Sequence, residues 1–277
     1  MNKSYKKLAI PYMVWLYALA LLPIVIMIAL SFMNSEGVDF SSSSFSFNNF
    51  LQIGEKSTRV AFFNSLWIAL VATIICAILG YVVAYKLARS KMHNKFLILT
   101  LLILPMWSNI LLRTEALGNI MSPQNILSDL LSKVGINLVI NIKGTYLAVL
   151  IGLVLTYLPF MILPIYNTLE KIDPSIEEAA LDLGLTESQK FWKIILPMSS
   201  KGIVTGTIMT FLPCFSGFAI PEILGNGNIV LIGNIIDALF RDMNYNAGSL
   251  IGIIILVIIT GMIMIINKVD KGGETLI

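Results

Sequence analysis

The residues best placed to bind a charged solute are four carboxylates near the edges of long uncharged runs. Glu115 and Glu222 each stand where an apolar run ends, and Asp237 and Asp242 follow in the next polar connection. A carboxylate at the centre of a bilayer costs about 2.5 to 3.5 kcal/mol, so such residues tend to be retained where a solute passes. Acids separated by apolar or aromatic surface would attract a cation.

Three aromatic residues could supply that surface: Trp107, Tyr157 and Phe160. The alternative for all three is a place in the core or in the belt of aromatic residues at the membrane interface. The acids have alternatives as well, since Glu115 could pair with Arg113 and Glu222 could cap a turn at Pro221. Both interpretations stay open at the level of sequence.

Other kinds of chemistry find no support in the sequence. No Gly is followed by Lys, so the phosphate-binding pattern GxxxxGK[ST] is absent. The single histidine, His93, lies in a short polar connection between Lys91 and Lys95, where no His-based catalytic or metal constellation can form. Cys76 and Cys214 lie in apolar runs without CxxC spacing. We therefore expect no enzymatic activity, no metal site and no cofactor.

The composition places the chain in a membrane. Hydrophobic residues make up 57% of the chain and charged residues 13%, and the mean hydropathy is +0.84. Soluble domains have about 25% charged residues, so a soluble fold is excluded, and the apolar excess excludes disorder. The net charge of +3 is small, which gives no support to nucleic-acid binding.

Stretches that lack Asp, Glu, Lys and Arg predict six transmembrane helices, because about 20 apolar residues cross the hydrocarbon core as a helix. The predicted spans are 8–35, 60–85, 96–121, 144–169, 202–221 and 243–267. The third span has only 17 residues before Arg113, in 96–112, and must extend past that residue. The sequence thus predicts an all-α, polytopic membrane protein.

The distribution of Lys and Arg predicts the orientation of these spans. With the N-terminus inside, 13 of the 19 basic residues lie in the cytoplasmic segments. Cytoplasmic loops are enriched in Lys and Arg. The opposite side receives connections rich in Ser and Asn, such as 41–49. Both termini are therefore expected in the cytoplasm.

Two connections between the spans are long enough to have structure of their own. In the first, apolar residues recur at helical spacing over 126–134, which predicts a short packing helix at the outer interface. The second is the cytoplasmic connection 170–201, which we call the coupling segment because it links the fourth predicted span to the fifth. It is too long for a turn.

The coupling segment has the signals of two short helices. Asp173 as N-cap and Pro174 in the first turn predict a helix over 175–183 that ends at Gly184. Thr186 would cap a second helix, which Pro197 would end. Both helices would lie outside the membrane.

Proline and glycine in the spans beside the coupling segment predict where these spans bend and touch. Pro159 and Pro164 interrupt the fourth predicted span, and Pro213 falls in the middle of the fifth. Each proline removes a helical hydrogen bond and permits a bend. Gly202 and Gly206 form a GxxxG pair, which predicts a close helix contact near the cytoplasmic end.

Seven positions of the coupling segment match the EAA loop of the permease subunits of bacterial ABC importers: Glu178, Ala179, Ala180, Gly184, Ile194, Leu196 and Pro197. Their spacing is that of the family, and the loop lies between the fourth and fifth predicted spans, as it does in such permeases. The chain therefore resembles this family. The resemblance implies a type I ABC importer permease fold, a single permease domain over 1–277, and an ATPase-coupling role for these seven residues.

Further stretches resemble one subfamily, the spermidine/putrescine permeases of the PotB type. They are 104–118, 158–173 and 220–225 with 232–234. This resemblance implies a location in the bacterial cytoplasmic (inner) membrane and a translocation path for polyamines lined by the acids and aromatics named above. This chain departs from the subfamily at one place. Relatives usually have an aromatic residue near the position of Glu115, where this chain has a carboxylate.

The family resemblance also implies partners. ATP hydrolysis would come from a cytoplasmic ATPase dimer, and an extracellular or periplasmic polyamine-binding protein would deliver the solute. Because the chain has one EAA loop and two ATPase sites need two docking elements, a second, PotC-like permease subunit is implied.

The EAA loop leaves other solutes open, such as ferric iron, thiamine or a phosphonate. An anionic solute would favour Lys or Arg in the cavity, which only Arg113 is expected to approach. A secondary transporter would need titratable residues near mid-membrane and an internal repeat.

Overall fold

The computed structural model describes residues 3–34, 44–92, 94–123, 125, 128 and 141–269, with side chains from Pro11 to Met264 within these ranges. Helices form almost all of this part of the chain, together with one antiparallel pair of two-residue strands, β1 (Met33–Asn34) and β2 (Ser44–Phe45). The helix predicted over 126–134 lies outside the described residues except for Ser128, and His93 lies outside them too.

The helices in chain order are α1 (Lys3–Ser31), α2 (Leu51–Gly54), α3 (Lys56–Arg89), α4 (Lys95–Ile103), α5 (Ile110–Ile120), α6 (Tyr146–Glu170), α7 (Pro174–Asp182), α8 (Glu187–Lys190), α9 (Leu196–Met198), α10 (Ser200–Ser216), α11 (Ala219–Gly225), α12 (Ile232–Arg241) and α13 (Tyr245–Val269). Short 3₁₀ turns precede α2, at Asn48–Phe50, and follow α4, at Leu104–Trp107. A π-helical turn, Phe191–Ile195, joins α8 to α9.

Within the described ranges, four helices are long and apolar enough to cross a membrane: α1, α3, α6 and α13. Two further pairs qualify only when each bent pair is counted as one span. The all-helical membrane architecture predicted from the sequence is present. The number of six spans stays a prediction.

The third predicted span is not one continuous helix. Its two halves, Lys95–Trp107 and Ile110–Ile120, meet at an angle of 93°. The break has a local cause, because Asn109 takes an extended conformation and its side chain accepts a hydrogen bond of 2.8 Å from the Leu111 amide. This is an N-cap, which starts a new helix rather than extending the old one.

The fifth predicted span, 202–221, also differs from the expectation. Helix α10 ends at Ser216, Gly217 is extended, and α11 begins at Ala219. Pro213 therefore lies in the last turn of α10 rather than in the middle of a span, and its carbonyl accepts a hydrogen bond of 2.9 Å from the Gly217 amide. The chain leaves the helix one turn after the proline.

Helices α6 and α10 pack closely, as the GxxxG pair predicts. A Cβ atom at Gly202 would lie 2.7 Å from the carbonyl oxygen of Pro164, and one at Gly206 would lie 2.8 Å from the sulfur of Met161. Only glycine permits such an approach. Helix α6 continues through Pro159 and Pro164 without a break, so the expected interruption of this span is absent.

The chain divides into two compact units, one containing residues up to Ala61 with Ile235–Gly261, the other Phe62–Asn234 with the residues from Met262 onward. In the first unit, Asn49 ties the end of α1 to the strand pair by donating hydrogen bonds of 3.0 and 2.9 Å to the carbonyls of Ser31 and Met33. The second unit contains the coupling segment and most of the candidate path residues. A single permease domain over 1–277 stays a prediction.

Candidate functional site

The first helix of the coupling segment, α7, begins as its sequence predicts. The carboxylate of Asp173 accepts a hydrogen bond of 2.9 Å from the Ser175 amide, and Pro174 occupies the first turn. The backbone N–H of Ser175 lowers the pKa of Asp173. The exposed carboxylate therefore stays ionised at the positive end of the helix, where a negative charge is stabilised.

The end of α7 requires glycine. Gly184 has φ +83°, and its amide donates a hydrogen bond of 2.9 Å to the Leu181 carbonyl, while the Leu185 amide donates one of 3.1 Å to the Ala180 carbonyl. This pair of bonds is a Schellman motif, which favours glycine at the left-handed position. A Cβ at Gly184 would meet no atom within 4 Å. Within this chain, backbone conformation rather than crowding selects the glycine.

The second helix of the segment begins with a complete capping box. The Thr186 hydroxyl accepts a hydrogen bond of 3.3 Å from the Gln189 amide, and the Gln189 side chain accepts one of 3.1 Å from the Thr186 amide. The prediction that Pro197 ends this helix is correct to within one residue, because the last helical residue is Met198. Helical structure continues through the π turn to Met198, and the chain then bends by 64° at Ser199. Pro197 is tolerated because it lies in the first turn of α9.

The motif residues divide by exposure. Ala180 is buried, and Ile194 and Leu196 are half-buried, so these three pack within the chain. The remaining four are exposed: Glu178, Ala179, Gly184 and Pro197. Leu183 is 85% exposed and Trp192 63% exposed, which adds apolar surface to the same segment. The segment thus offers a carboxylate, small residues and apolar side chains to a partner.

A buried acid next to the motif is not evident from the sequence. Glu177 is 8% exposed and forms an ion pair with Arg89 at the end of α3. Its other carboxylate oxygen accepts a hydrogen bond of 3.2 Å from the Tyr85 hydroxyl and lies 3.3 Å from the Lys190 ammonium. Glu177 and Ala180 are three residues apart and share the inward face of α7, which is the one local signal that the sequence offers.

Lys190 joins the two short helices of the coupling segment. Its ammonium lies 2.7 Å from the carboxylate of Glu187 and contacts Glu177 as well. The hydrogen bond to Glu187 raises the pKa of Lys190, burial opposes this rise, and the contact with Glu177 adds a smaller contribution in the same direction as Glu187. The side chain therefore remains an ammonium although it is buried.

Among the candidate path residues, Glu115 lies exposed on α5. The pairing with Arg113 that the sequence left open is not among the ion pairs of the described residues. The Arg113 guanidinium instead donates a hydrogen bond to the carbonyl of Pro105, across the 93° break. Arg113 therefore stabilises the bend, and the side chain of Glu115 stays exposed.

Glu222 lies exposed in the first turn of α11. Its carboxylate accepts a hydrogen bond of 2.8 Å from the side-chain amide of Asn234, a buried residue at the start of α12. Asn234 also donates to the Phe218 carbonyl at 3.1 Å and accepts from the Leu231 amide at 3.1 Å. The side-chain amide of Asn234 thus orients the carboxylate of Glu222. Among the described residues, Glu222 forms no ion pair with a Lys or Arg.

Asp237 differs from Glu222 in this respect. On α12 it forms an ion pair of 2.5 Å with Arg241, one helical turn further along. The pair cancels the charge that would attract a cation. Asp242, the other acid of this connection, is exposed.

The three candidate aromatics do not converge on one surface. Trp107 is 89% exposed at the break between α4 and α5. The rings of Tyr157 and Phe160 lie 6.0 Å apart on α6. Tyr157 lines an apolar cavity of about 310 Å³ beside α11, whereas Phe160 lines a larger cavity of about 710 Å³.

The larger cavity lies between the 3₁₀ turn after α4, α6 and α10. Its apolar part includes Met106 and Phe160, and its polar part includes Asn167 and Thr205. Lys171 and Lys201, which lie near the two ends of the coupling segment, also line it, and no carboxylate of the described residues does. The expectation that only Arg113 approaches a cavity does not hold for this one, because the two lysines line it.

The family of this chain follows from a comparison with known proteins. Residues 78–271 match the model of the binding-protein-dependent transport system inner membrane component. The chain belongs to this family. Members of the family are transport components rather than enzymes, and their place is the inner membrane, in agreement with the apolar helices described above.

Individual relatives are similar over nearly the whole chain. The spermidine/putrescine transport system permease protein PotB of Haemophilus influenzae is 34% identical over 275 residues, which cover 98% of this chain and 96% of that protein. PotB of Salmonella typhimurium is 35% identical over 256 residues, covering 91% of this chain and 88% of that protein. The resemblance to PotB-type permeases that the sequence motifs indicate is confirmed.

The fold is also that of a solved transporter. A chain of the bacterial alginate ABC transporter, crystallised with an alginate pentasaccharide-bound periplasmic protein, superposes with a TM-score of 0.78 at 15% identity over 98% of this chain and 95% of that chain. At this identity the similarity concerns the fold alone. The predicted ABC importer permease fold is confirmed.

Proposed function

We propose that this chain is the permease subunit of an ATP-driven importer and forms the translocation path for polyamines such as spermidine and putrescine. The observation on which the proposal rests is the identity of 34% to PotB along almost the full length of both chains. The partners would be a cytoplasmic ATPase dimer, a second permease subunit of the PotC type and an extracellular or periplasmic polyamine-binding protein.

The coupling segment would be the part on which the ATPase acts. Its exposed residues include Glu178 and Ala179, beside the tight turn at Gly184. ATP binding would close the ATPase dimer and displace α7. Because the segment continues directly into α6 and α10, this displacement would move both helices and change the side to which the cavity opens. Ile194, Leu196 and Pro197 would hold the second short helix in register.

Glu222 would attract the polyamine at the outer end of the path. Its carboxylate is oriented by Asn234 and has no cationic partner in the described part of the chain, unlike Asp237. Glu115 would be a second point of attraction, and Trp107, Tyr157 and Phe160 would offer apolar surface to the methylene groups. Lys171 and Lys201 line the larger cavity, so a cation that passes it would meet positive charge there.

Six spans with both termini in the cytoplasm are part of the proposal. A cysteine at Ser188 should react with an impermeant maleimide only after the cells are permeabilised, since this residue is exposed on the coupling segment. A cysteine at Ser43 should react in intact cells. The opposite pattern would place the coupling segment out of reach of any cytoplasmic ATPase.

A second candidate cargo is an anionic solute, such as a phosphonate. It is favoured by one observation, the two lysines and the missing carboxylate among the residues that line the larger cavity. Uptake of radiolabelled spermidine by cells that contain the full complex distinguishes the two. For a polyamine importer, labelled spermidine should enter the cells, and excess putrescine but not excess phosphonate should reduce its uptake. Absence of spermidine uptake, together with uptake of a labelled phosphonate by the same cells, would favour the anionic solute instead.

A further inference from the structure

One face of α3 ends in three side chains spaced four residues apart: Tyr81, Tyr85 and Arg89. Residues at this spacing are neighbours on a helix surface. All three contact the coupling segment, which follows them in sequence by some ninety residues or more. We call these three residues the α3 stripe.

At the Arg89 end of the α3 stripe, the contacts with the coupling segment are ionic. Arg89 forms an ion pair with Glu177 of α7 and also donates a hydrogen bond of 3.2 Å to the carbonyl of Ile172. The Tyr85 hydroxyl donates to the second oxygen of Glu177 at 3.2 Å, where Lys190 approaches at 3.3 Å. The side chains of Arg89, Glu177 and Lys190 are 18%, 11% and 8% exposed, so water screens these contacts little.

The other end of the stripe is aromatic. The ring of Phe191 packs edge-on against Tyr81 at 5.5 Å and against Tyr85 at 5.9 Å between ring centroids. Phe191 opens the π-helical turn, a local distortion that is frequent at functional sites. The Tyr81 hydroxyl and the Ser199 hydroxyl lie 2.8 Å apart in a hydrogen bond, and Ser199 is the buried residue at the 64° bend before α10.

The charges of this cluster cancel, since Arg89 and Lys190 face Glu177 and Glu187. A buried carboxylate that loses its partners pays the full cost of desolvation. Separation of α7 from α3 would remove the contacts of Glu177 with Arg89 and Tyr85 and would leave it only Lys190, which belongs to the coupling segment itself. The contact is therefore one that resists opening when a force acts on the coupling segment.

We infer that Glu177 is a positioning residue that joins the coupling segment to α3, so that a displacement of α7 moves α3 together with α6 and α10. The inference rests on the proposed function, because it requires an ATPase that acts on the coupling segment. It extends the motion beyond the two helices that are continuous with the segment. A third membrane helix, linked only through side chains, would move with them.

The inference is tested by a distance measurement in the full complex. Spin labels at Lys86 on α3 and Asp182 on α7, both exposed, report whether the two helices move as one. The expected distance distribution is narrow and the same in the nucleotide-free and the ATP-trapped state. In Glu177→Gln it should broaden and differ between the two states.

Transport provides the second readout. Glu177→Gln should lower uptake about tenfold, in the range of coupling effects of residues that touch neither ligand, while the ATPase still copurifies and hydrolyses ATP. Glu187→Gln is the matched control, because Glu187 is 74% exposed and contacts Lys190 but not α3. It should leave both the distance and the uptake close to wild type. Glu177→Asp, which keeps the charge, should restore the narrow distribution at least in part and guards against a simple folding defect.

Two results would overturn the inference. One is a wild-type distance that changes between the two nucleotide states, because α3 would then not follow α7. The other is a Glu177→Gln complex with wild-type uptake and a narrow distribution. A wild-type chain with which no ATPase copurifies would contradict the proposed function itself, and that outcome is separate from both.

Discussion

The coupling segment and the candidate substrate path are organised in opposite ways. The segment concentrates its contacts in about thirty residues with two capped helices, a Schellman turn and a buried ion-pair cluster. The path residues are distributed over α5, α6, α11 and α12, and the described contacts join only a few of them, such as Tyr157 with Phe160. The described contacts are therefore dense in the coupling segment and sparse among the candidate path residues.

This difference predicts two kinds of mutational effect. Changes at the exposed motif residues of the coupling segment should act on partner binding and on all cargo alike. Changes along the path should act on the charge or size of the solute and leave the ATPase in place. The predictions below begin with the changes expected to have the largest effect.

The largest effect is expected at the exposed motif residues. Glu178→Lys should abolish uptake and weaken copurification of the ATPase, because it reverses the charge of an exposed motif residue. Gly184→Val should have the same two effects, because a β-branched residue at φ +83° is strained. Gly184→Asn is the matched control, since Asn tolerates the left-handed region, and it should retain most of the activity. If the ATPase copurifies at the wild-type level with both changes present, the docking assignment is wrong.

On the path, the charge of Glu222 should matter more than that of Asp237. Glu222→Gln keeps an acceptor for the Asn234 amide but removes the charge, so spermidine uptake should fall by about tenfold or more. Asp237→Asn should have a smaller effect, because Arg241 already neutralises that carboxylate. Cargo binding to the separate receptor should be unchanged in both variants. Equal losses of uptake in the two variants would contradict this distinction.

The position of the Asn234 side chain depends on close backbone packing at its neighbour Gly233. A Cβ there would lie 2.5 Å from the carbonyl oxygen of Ser216 and 2.7 Å from that of Gly217, both of them backbone atoms. Gly233→Ala should therefore destabilise the protein by about 1 to 3 kcal/mol, measured as thermal unfolding in detergent. Gly54→Ala, where a Cβ meets nothing within 4 Å, is the control and should unfold at the wild-type temperature. An equally stable Gly233→Ala would show that this region rearranges freely.

The smallest effect is expected at the N-cap of α7. Asp173→Ala should lower the hydrogen-exchange protection of the α7 amides by less than about tenfold, and Asp173→Asn should lower it less, since Asn also caps helices. Because the pKa of Asp173 is lowered in the folded chain, the stabilisation is present above the pKa of the unfolded chain and is lost as the pH falls through the folded value. Unchanged protection in Asp173→Ala at neutral pH would exclude this cap as a determinant of α7.

The sequence predicts the helix caps and turns of the fold better than it predicts where the long apolar spans are interrupted. Asp173, Gly184 and Thr186 act through backbone groups a few residues away, so their roles follow from spacing alone. The break at Ser108–Asn109 was missed because the same residues are compatible with a continuous apolar helix. Pro213 was placed in mid-span because hydropathy does not register the helix end at Ser216.

The contacts of Glu177 could not be predicted because they are non-local. Nothing in the neighbourhood of Glu177 indicates that Arg89 and Tyr85, some ninety residues earlier, lie against it. The same holds for Lys171 and Lys201, whose positions at the cavity depend on the packing of α6 against α10. Helix caps can be predicted from short sequence patterns, whereas side-chain contacts between helices that are distant in sequence can be known only from the fold.

The most direct test of ATP-driven polyamine import is uptake of radiolabelled spermidine by vesicles that contain this chain, the second permease subunit and the ATPase. We expect uptake only when ATP is present on the side of the coupling segment and the loaded binding protein on the other, and we expect Glu178→Lys to abolish it. Spermidine uptake that is independent of ATP, or that is unchanged in Glu178→Lys, would contradict the account.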